Sequence, residues 1–302
     1  MKRISVVIPT YRRESVLLDT VRFLCELDSP AFEILIVDQS EKHEASTLEA
    51  LQAWDKTGDI RWIRLSQPSI THAMNTGLIK AKGEIVLFLD DDIIPDARLI
   101  SAHAAAHAEG ICNIVAGQVL QPGETVRPES PISGEFQFRS GKRCWVSELM
   151  GGNFSVRKVI AIALGGFDEN FVHVAYRFEA EFCNRAIIAG EKILFEPAAS
   201  IRHLKARSGG TRSFGEHLST IKPSHAVGAY YFILRVRNAE GRFSQILKRM
   251  ARAVGTKYHL RRPWWIPITL IAELWGLLWA LRLALGSPKL IGSFVQKETK
   301  YD

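Results

Sequence analysis

Three adjacent carboxylates, Asp90, Asp91 and Asp92, are the residues of this chain whose types and spacing most clearly suggest chemistry. They follow directly on an apolar run in the stretch "GEIVLFLDDDIIPD". Like charges at such spacing repel one another, so a counter-charge is expected. Mg²⁺ or Mn²⁺ would supply it, because these ions bind through one or two carboxylates plus substrate phosphates. The alternative is that one aspartate caps the next helix, for which Pro95-Asp96 is the better start.

The first hundred residues predict the elements that position these carboxylates. Strands are expected at "ISVVIP", "EILIVD", "IRWIRL" and "EIVLFL", which are apolar runs of the kind buried in parallel sheets. Helices are expected between them, roughly at Ser15–Glu26, at "ASTLEALQAW" and at "SITHAMNTGLIKAKG", the last with a C-terminal cap at Gly83. This alternation predicts a doubly wound α/β sheet with right-handed crossovers.

The ends of the predicted strands carry the candidate ligand-binding residues. Ligands of such sheets bind outside the carboxyl ends of the strands. Thr10 and Tyr11 follow the first strand, Asp38 ends the second, and the three aspartates follow the fourth. Neither G-x-G-x-x-G after the first strand nor G-x-x-x-x-G-K-[ST] occurs, which excludes dinucleotide-binding and P-loop sites.

The second hundred residues are less regular. From about Gly110 to Arg143 the pattern loosens, with three prolines and several glycines. Order returns at "VSELMGGNFSVRK", followed by a helix, by "GGFDENF" and by a helix in "RFEAEFCNRAIIAGEKI" with Gly190 near its end. A short strand, "LFEPAASIRH", then leads into the basic, glycine-containing loop "KARSGGTR".

Composition excludes several classes of protein. The chain has 302 residues, of which 47% are hydrophobic, enough for a large core and an appendage. Its four cysteines are scattered, which indicates reduced thiols in the cytosol and argues against a zinc site. The apolar run at the N-terminus is too short for a signal peptide and is interpreted as the first strand.

The C-terminal third changes character. Nine Lys or Arg stand between Arg235 and Arg262 against one acid, Glu240. The following 22 residues, 264–285, are interrupted only by Glu273 and Arg282, and their length suits a bilayer span. An acid near the midplane would cost about 2.5–3.5 kcal/mol on insertion scales.

Two interpretations of this segment stay open. Small residues recur every four positions, which permits close helix contact, at Ala272, Gly276, Ala280 and Ala284. The basic residues and tryptophans favour association with the cytosolic membrane face, as a peripheral, re-entrant or single-span segment. The alternative is a helical hairpin that covers the catalytic core and has no membrane role.

Five segments in order, "ISVVIPTYRR", "EILIVDQS", "AMNTGLIKAKGEIVLFLDDD", "GGNFSVRK" and "GGFDENF", resemble family-two glycosyltransferases of the GT-A fold, over roughly residues 4 to 205. The resemblance implies an α/β protein with a Rossmann-like nucleotide-binding half (1–110), an acceptor-binding half (111–222) and here a helical extension (223–302). It also implies transfer of a sugar from a nucleotide-diphosphate donor, usually with inversion and with Mg²⁺ or Mn²⁺.

Carried over onto this sequence, the resemblance assigns the donor side. Thr10 and Tyr11 would line the nucleotide pocket, Asp38 would hydrogen-bond the base and Asn75 would lie near the donor. Asp90 and Asp92 match the D-x-D motif, so that Asp90 would face the ribose or the metal and Asp92 would ligate the metal, with Asp91 beside them in the substrate site.

On the acceptor side, the family places its catalytic base in an "ED" pair that opens a helix. The matching stretch here is "FEAEFCNR", with Glu179 at the base position and Glu181 as the second acid. Phe178 replaces the usual Glu, and Glu replaces Asp, which leaves the chemistry possible because the two acids have similar intrinsic pKa values. Two residues two apart cannot share a helix face, so only one, Glu179, should point at the acceptor. The alternative is that both are solvated surface acids.

The remaining assignments lie around the predicted strand end at His203, which would contact the metal or the diphosphate. Arg207 and Arg212, near two flexible glycines, would form a lid that clamps the diphosphate, with a solvated basic turn as the alternative. Gly152 and Asn153 would shape the acceptor side.

The sequence thus predicts a metal-dependent glycosyltransferase at the cytosolic membrane face, acting on a glycan or a lipid-linked acceptor. The alternatives are a catalytically inactive sugar-nucleotide-binding or membrane scaffold protein and a nucleotidyltransferase. The latter would have a glycine- and Lys/Arg-rich loop after the first strand, where this chain has "TYRRES". Nucleic-acid binding is not expected, because the basic residues adjoin an apolar segment rather than a groove-reading motif.

Overall fold

The computed structural model describes residues 3–127, 136–215, 218–236 and 241–292, without the side chain of Arg212. The described strands are β1 (Ile4–Thr10), β2 (Glu33–Asp38), β3 (Arg61–Arg64), β4 (Ile85–Leu89), β5 (Ile93–Pro95), β6 (Ile114–Leu120), β7 (Cys144–Val146), β8 (Asn153–Arg157) and β9 (Ile193–His203). The described helices are α1 (Ser15–Cys25), α2 (Ala45–Thr57), α3 (Ile70–Lys80), α4 (Leu99–Ala108), α5 (Lys158–Ala163), α6 (Phe178–Ile188), α7 (Val227–Arg235), α8 (Arg242–Val254), α9 (Lys257–Arg261) and α10 (Trp265–Ala284).

One mixed sheet runs through the described part of the chain, in the order β3-β2-β1-β4-β8-β6-β9-β5, with β7 paired to β9. Its first four strands are parallel, as the strand–helix alternation predicted. The apolar runs of β1, β2 and β4 are buried between the two main clusters of the core, one on each face of the sheet, whereas β3 is only partly buried. Because these strands run in one direction, Thr10, Asp38 and the end of β4 meet at one edge.

The second half of the sheet is not the continuation that a doubly wound fold would give. β8 runs antiparallel to both β4 and β6, and β5 runs antiparallel to β9. The expectation of a loosely organised segment from Gly110 to Arg143 was wrong at β6, whose residues are all buried. β6 pairs with β9 in parallel, with a register shift between Gly117 and Gln118, so its stability depends on a partner far along the chain.

Two predicted helix boundaries were also wrong. α3 ends at Lys80, before extended backbone at Ala81, and Gly83 is not its cap. Gly83 instead lies against β1, where its N–H donates to Ser5 Oγ at 2.8 Å, and a β-carbon would lie 2.7 Å from the carbonyl oxygen of Arg3. α4 begins at Leu99 rather than at Pro95-Asp96, since Pro95 belongs to β5.

The C-terminal helices pack on the catalytic part of the chain. α10 packs against α7 and α8, and α7 packs on α6. The predicted small-residue stripe lies in this interface, where Ala272, Gly276 and Ala280 are buried. A β-carbon on Gly276 would lie 2.6 Å from that of Ala226, so glycine permits the close approach of the two helices.

Within the described residues, α10 is the helix whose length and composition would allow it to cross a membrane. Its central acid, Glu273, faces the protein and is buried. Tyr230 Oη donates to Glu273 Oε2 at 2.7 Å, and Arg249 Nη2 donates to Oε1 at 3.1 Å. The helix is therefore held to the rest of the chain by polar as well as apolar contacts.

Candidate active site

The carboxyl edge of the parallel strands brings together the three aspartates, Thr10 and the end of β9. Asp90 is the residue after β4, and its N–H donates to the carbonyl of Gly152 at 3.2 Å. β5 begins at Ile93, so the three aspartates occupy the whole of the short connection between β4 and β5. Thr10 Oγ1 donates to Asp91 Oδ2 at 2.7 Å, which joins the ends of β1 and β4.

Asp90, Asp92 and His203 form a cluster whose ligand atoms lie within 4.8 Å of one another. His203, the last residue of β9, places Nε2 at 3.1 Å from Asp92 Oδ1 and 3.7 Å from Asp90 Oδ2. Its other ring nitrogen, Nδ1, contacts Gln121 Oε1 at 3.0 Å. Gln121 thus orients the ring so that Nε2 faces the carboxylates, as a residue beside a metal ligand typically does.

The pKa values of this cluster reflect burial and mutual charge. Burial raises the pKa of Asp90, and the negative charge of Asp92 adds to the increase. The positive charges of His203 and Arg13 oppose it. Burial also acts to raise the pKa of Asp92, but hydrogen bonds from His203 and from the Ala206 N–H outweigh it and the pKa is lowered. The same carboxylates raise the pKa of His203 although burial opposes them. The cluster thus concentrates negative charge, which the imidazole of His203 partly neutralises.

Arg13 is a buried counter-charge that the sequence analysis missed. Its Nε donates to Asp91 Oδ1 at 3.0 Å, and Nη2 lies 3.5 Å from Asp92 Oδ2. Its Nη1 donates to the carbonyl of Ser208, in the loop after β9. In the sequence, Arg13 was marked only by its place two residues after Tyr11. Its partner Asp91 is 78 positions away, so no local pattern joins the two.

Glu179 and Asp90 flank the Gly151-Gly152 pair, and the space that these four residues border is named the cleft. A β-carbon on Gly151 would lie 2.7 Å from Glu179 Oε1, and one on Gly152 would overlap the Asp90 carboxylate. Burial raises the pKa of Glu179 to about 7, and the negative charge of Asp90 adds to the increase. This pKa places the change of charge of the Glu179 carboxyl group near neutral pH, beside the acidic cluster.

Glu181 points elsewhere. It is buried and forms a two-point ion pair with Arg185, at 2.7 Å to Nε and 2.8 Å to Nη2. Arg185 also donates to the carbonyls of Leu164 and Gly166. Glu179 thus lies beside Gly151, whereas Glu181 pairs within α6 with Arg185, which holds the helix to the preceding loop. The catalytic role of Glu181 stays a prediction, and both of its carboxylate oxygens are engaged by Arg185.

Asp38 and Asn75 have their polar atoms committed within the protein. The Asp38 carboxylate is fully buried and accepts hydrogen bonds from the Ser40 N–H at 2.8 Å and from Trp62 Nε1 at 3.1 Å, with His43 Nε2 at 2.8 Å. A base would have to displace one of these partners to reach it. Asn75 is buried too, and its amide joins α3 to Phe167 through two hydrogen bonds of 2.8 Å.

Asn153 is also turned away from the cleft. Its side chain is fully buried, where Nδ2 donates to the carbonyls of Gln118 and Ala199, each at 2.9 Å. Its Oδ1 contacts His103 Nε2 at 3.0 Å, and burial lowers the pKa of His103 to about 4, so the imidazole is neutral. Asn153 thus fastens β8 to β6 and β9, whereas the neighbouring Gly152 stays at the cleft beside Asp90.

The basic loop after β9 lies against the end of β1 and the aspartate cluster. The Gly210 N–H donates to the carbonyl of Tyr11 at 2.7 Å, and the Ala206 N–H donates to Asp92 Oδ2 at 2.7 Å. Gly209 and Gly210 both have positive φ, and a β-carbon on Gly209 would collide with the carbonyl of Arg12. Arg207 is exposed on this loop. The predicted contact of the Arg212 side chain lies outside the described atoms.

Comparison with known proteins identifies the family. The sequence pattern of glycosyl transferase family 2 matches residues 5–164, which include the aspartate cluster and the Gly151-Gly152 pair. The chain belongs to glycosyl transferase family 2. This membership agrees with the predicted resemblance and argues against a nucleotidyltransferase.

The chain resembles a probable glycosyltransferase, YdaM, of Bacillus subtilis, at 21% identity over 214 residues, or 66% of this chain and 50% of that protein. It therefore spans half the length of this relative. Among solved structures, it resembles TarS residues 1–349 of S. aureus in complex with UDP-GlcNAc, with a TM-score of 0.60 and 17% identity over 88% of this chain and 79% of that one. It also resembles the mannosyltransferase PcManGT of Pyrobaculum calidifontis in complex with GDP-Man and Mn²⁺, with a TM-score of 0.57 and 19% identity over 99% and 80% of the two chains. These structures share the GT-A fold, which confirms the predicted fold class.

Proposed function

We propose that this protein is a metal-dependent, inverting glycosyltransferase that moves a sugar from a nucleoside-diphosphate donor to a hydroxyl group. The observation that carries the proposal is the position of Glu179, whose carboxyl group lines the same cleft as Asp90 across two glycines. An acidic metal site alone would fit many phosphate-binding proteins. A base with a pKa raised to about 7 beside that site fits transfer to a hydroxyl, which must lose its proton.

The side chains at the rim fit a divalent cation. Asp90, Asp92 and His203 offer two carboxylates and one imidazole at convergent positions, and Gln121 fixes the imidazole. Carboxylates suit Mg²⁺ and Mn²⁺, while the nitrogen ligand favours Mn²⁺ over Mg²⁺, which prefers oxygen. When bound, the ion would stabilise the negative charge that develops on the departing diphosphate.

Different residues of the chain would bind the acceptor, the nucleotide and the diphosphate. Glu179 would hold the acceptor hydroxyl and take its proton as the oxygen attacks the anomeric carbon from the face opposite the leaving nucleotide. Thr10 and Tyr11 would border the nucleotide at the end of β1. The loop after β9, with Arg207 and Arg212, would cover the diphosphate, since guanidinium groups suit phosphate oxygens.

The C-terminal helices support an acceptor at the membrane surface. We place the enzyme in the cytosol at the inner membrane face, with a glycan or a lipid-linked sugar as acceptor in cell-envelope polysaccharide synthesis. The apolar helix α10 beside the catalytic half supports this location.

Two measurements test the proposal. A thermal-shift series with nucleoside diphosphates, each with and without Mn²⁺, should show stabilisation by one nucleotide that depends on the metal, because a ligand that binds the native state raises Tm. Release of the nucleoside diphosphate from the matching sugar nucleotide should then require Glu179. Metal-dependent nucleotide binding without turnover on any acceptor would favour the inactive scaffold and contradict the proposed activity.

A further inference from the structure

The outer face of α10 carries a continuous apolar stripe that no other described part of the chain covers. Leu274, Trp275 and Leu278 have exposed fractions of 52%, 50% and 58%. Their spacing places them on one side of the helix, opposite the buried residues Ala272, Gly276 and Ala280. A 20-residue helix is about 30 Å long, so the stripe is long as well as apolar. We define the exposed α10 stripe as Leu270, Ile271, Leu274, Trp275, Leu278 and Leu281.

Positive charge adjoins the start of this stripe. Arg261 and Arg262 are exposed and stand directly between two exposed apolar residues, Leu260 at 81% and Trp264 at 64%. Residues 241–292 contain nine Lys or Arg but only one acid, Glu273. Glu273 is buried and paired with Arg249, so it does not reduce the positive charge of the outer surface.

Amphipathic character is also present in α8, which packs on α10. Phe243 and Leu247, one turn apart, are exposed at 73% and 49%. Arg242, Lys248 and Arg252 are exposed on the same helix. An exposed apolar surface bordered by Arg and Lys and by tryptophan is typical of helices that lie in the membrane interface.

The buried side of α10 decides how such a helix can meet a membrane. A helix that crossed the bilayer would have to leave α7, and Glu273 would lose its hydrogen bonds from Tyr230 and Arg249. An unpaired acid in hydrocarbon is costly. In contrast, a helix that lies parallel to the surface keeps these contacts and buries only the stripe.

We propose that the exposed α10 stripe, with the flanking basic residues of α8 and α9, docks the protein in plane on an anionic lipid bilayer. The apolar side chains enter the acyl boundary, and the arginines and lysines bind the lipid phosphates at its surface. The protein is thus a surface-bound enzyme rather than one anchored by a spanning helix.

The docking surface lies beside the catalytic cleft. Trp279 of α10 contacts His173 with ring centroids 5.2 Å apart, and His173 contacts Phe214 at 5.4 Å. Phe214 lies 6.3 Å from Tyr11, at the donor end of the site. The segment around His173 leads into α6, which carries Glu179. These contacts link α10 to the end of β1 and to the segment that leads to Glu179.

Vesicle flotation of the full chain tests the docking without depending on activity. Phosphatidylcholine vesicles with and without phosphatidylglycerol are the probes. We expect binding to the anionic vesicles that salt weakens, together with a blue shift of tryptophan emission that Trp275→Phe reduces without abolishing flotation. Leu274→Glu/Leu278→Glu should lower the partition coefficient by more than about tenfold, because two leucines that would enter the lipid are lost. Arg261→Gln/Arg262→Gln should lower it by about tenfold on anionic vesicles and change it little on phosphatidylcholine.

Matched controls and contrary outcomes separate this proposal from its alternatives. Ile79→Glu and Ile111→Glu change equally exposed apolar residues outside α7–α10, at 53% and 51%, and should float like the wild type. Protein that stays in the membrane after alkaline carbonate extraction would show a spanning helix and overturn in-plane docking. A lipid-free dimer that Leu274→Glu/Leu278→Glu dissociates would show that a second copy covers the stripe. Wild-type flotation by the double glutamate variant would also overturn the proposal, whether or not the enzyme transfers sugar.

Discussion

Arg13 and Ser208 join the loop after β1 to the loop after β9 through a hydrogen bond from the guanidinium to the backbone carbonyl. The same guanidinium neutralises Asp91 and lies near Asp92. The loop after β1, the aspartate cluster and the loop after β9 therefore share one buried cation. The repulsion within the aspartate triplet is therefore reduced in part by the protein itself, through the guanidinium of Arg13.

Replacing Arg13 should destabilise the fold strongly. Arg13→Met leaves the buried Asp91 without its counter-charge, and breaking such a pair costs about 3–5 kcal/mol. Arg12→Met is the matched control, because Arg12 is exposed and only stacks over Tyr11, so we expect a loss below about 1 kcal/mol. Urea denaturation of both variants measures the difference. Equal losses would contradict the role of Arg13 as the shared counter-charge.

The pH dependence of transfer should depend on Glu179. Its pKa is raised to about 7, so the carboxyl group is neutral below that pH and the base is lost as pH falls. At saturating Mn²⁺, kcat/KM should fall tenfold per unit on the acid side of a midpoint no higher than about pH 7, because a bound cation would reduce the repulsion from Asp90. Glu179→Gln should remove this limb and lower kcat by at least about a hundredfold.

Stability supplies an independent test of the same residue. A carboxyl group with a raised folded pKa favours folding less as pH rises from its ordinary value through the folded one. Glu179→Gln should therefore have a higher Tm than the wild type at pH 8 and a similar Tm near pH 4.5. Glu181→Gln should instead lower Tm at pH 8, because it breaks the two-point pair with Arg185. A lower Tm for Glu179→Gln than for the wild type at pH 8 would contradict a raised pKa of Glu179 in the folded protein.

The sequence predicted the parallel strands and the rim because their signals are local. A continuous apolar run followed by Thr10, Asp38 or Asp90 indicates both a buried strand and its polar end. β6 escaped prediction because Gly117 and Gln118 interrupt its apolar run, and its burial comes from pairing with β9 about 80 residues later. The Gln121 contact was missed for the same reason.

Burial limits what the sequence alone reveals about Asp38, Asn75 and Arg13. The places of Asp38 and Asn75 at the donor, taken from their motif positions, stay predictions, because local sequence does not reveal which polar atoms the folded protein already engages. His43, Trp62 and Phe167 are those partners, and none of them is specified by the motif. Arg13 was overlooked because an arginine next to an exposed arginine gives no sign that its charge is buried.

Metal affinity should depend on Gln121 although this residue is not a ligand. Gln121→Leu removes the acceptor at His203 Nδ1 and frees the ring to rotate, and loss of such support typically weakens metal binding by about 10–100-fold. His203→Gln should weaken it at least as much. Titration with Mn²⁺, followed by electron paramagnetic resonance of the free ion, measures both. His72→Gln, which changes a half-exposed histidine paired with Glu169, is the control and should bind Mn²⁺ like the wild type.

Close packing of α10 on the rest of the chain should depend on Gly276. Gly276→Ala places a methyl group 2.6 Å from the β-carbon of Ala226, so the helices must separate, and overpacking of this kind costs about 1–3 kcal/mol. Gly286→Ala is the control, since its nearest neighbour would be at an ordinary 3.5 Å. Thermal unfolding should show a lower Tm for the first variant alone. Equal Tm values for the two variants would show that α10 does not pack on α7 in solution.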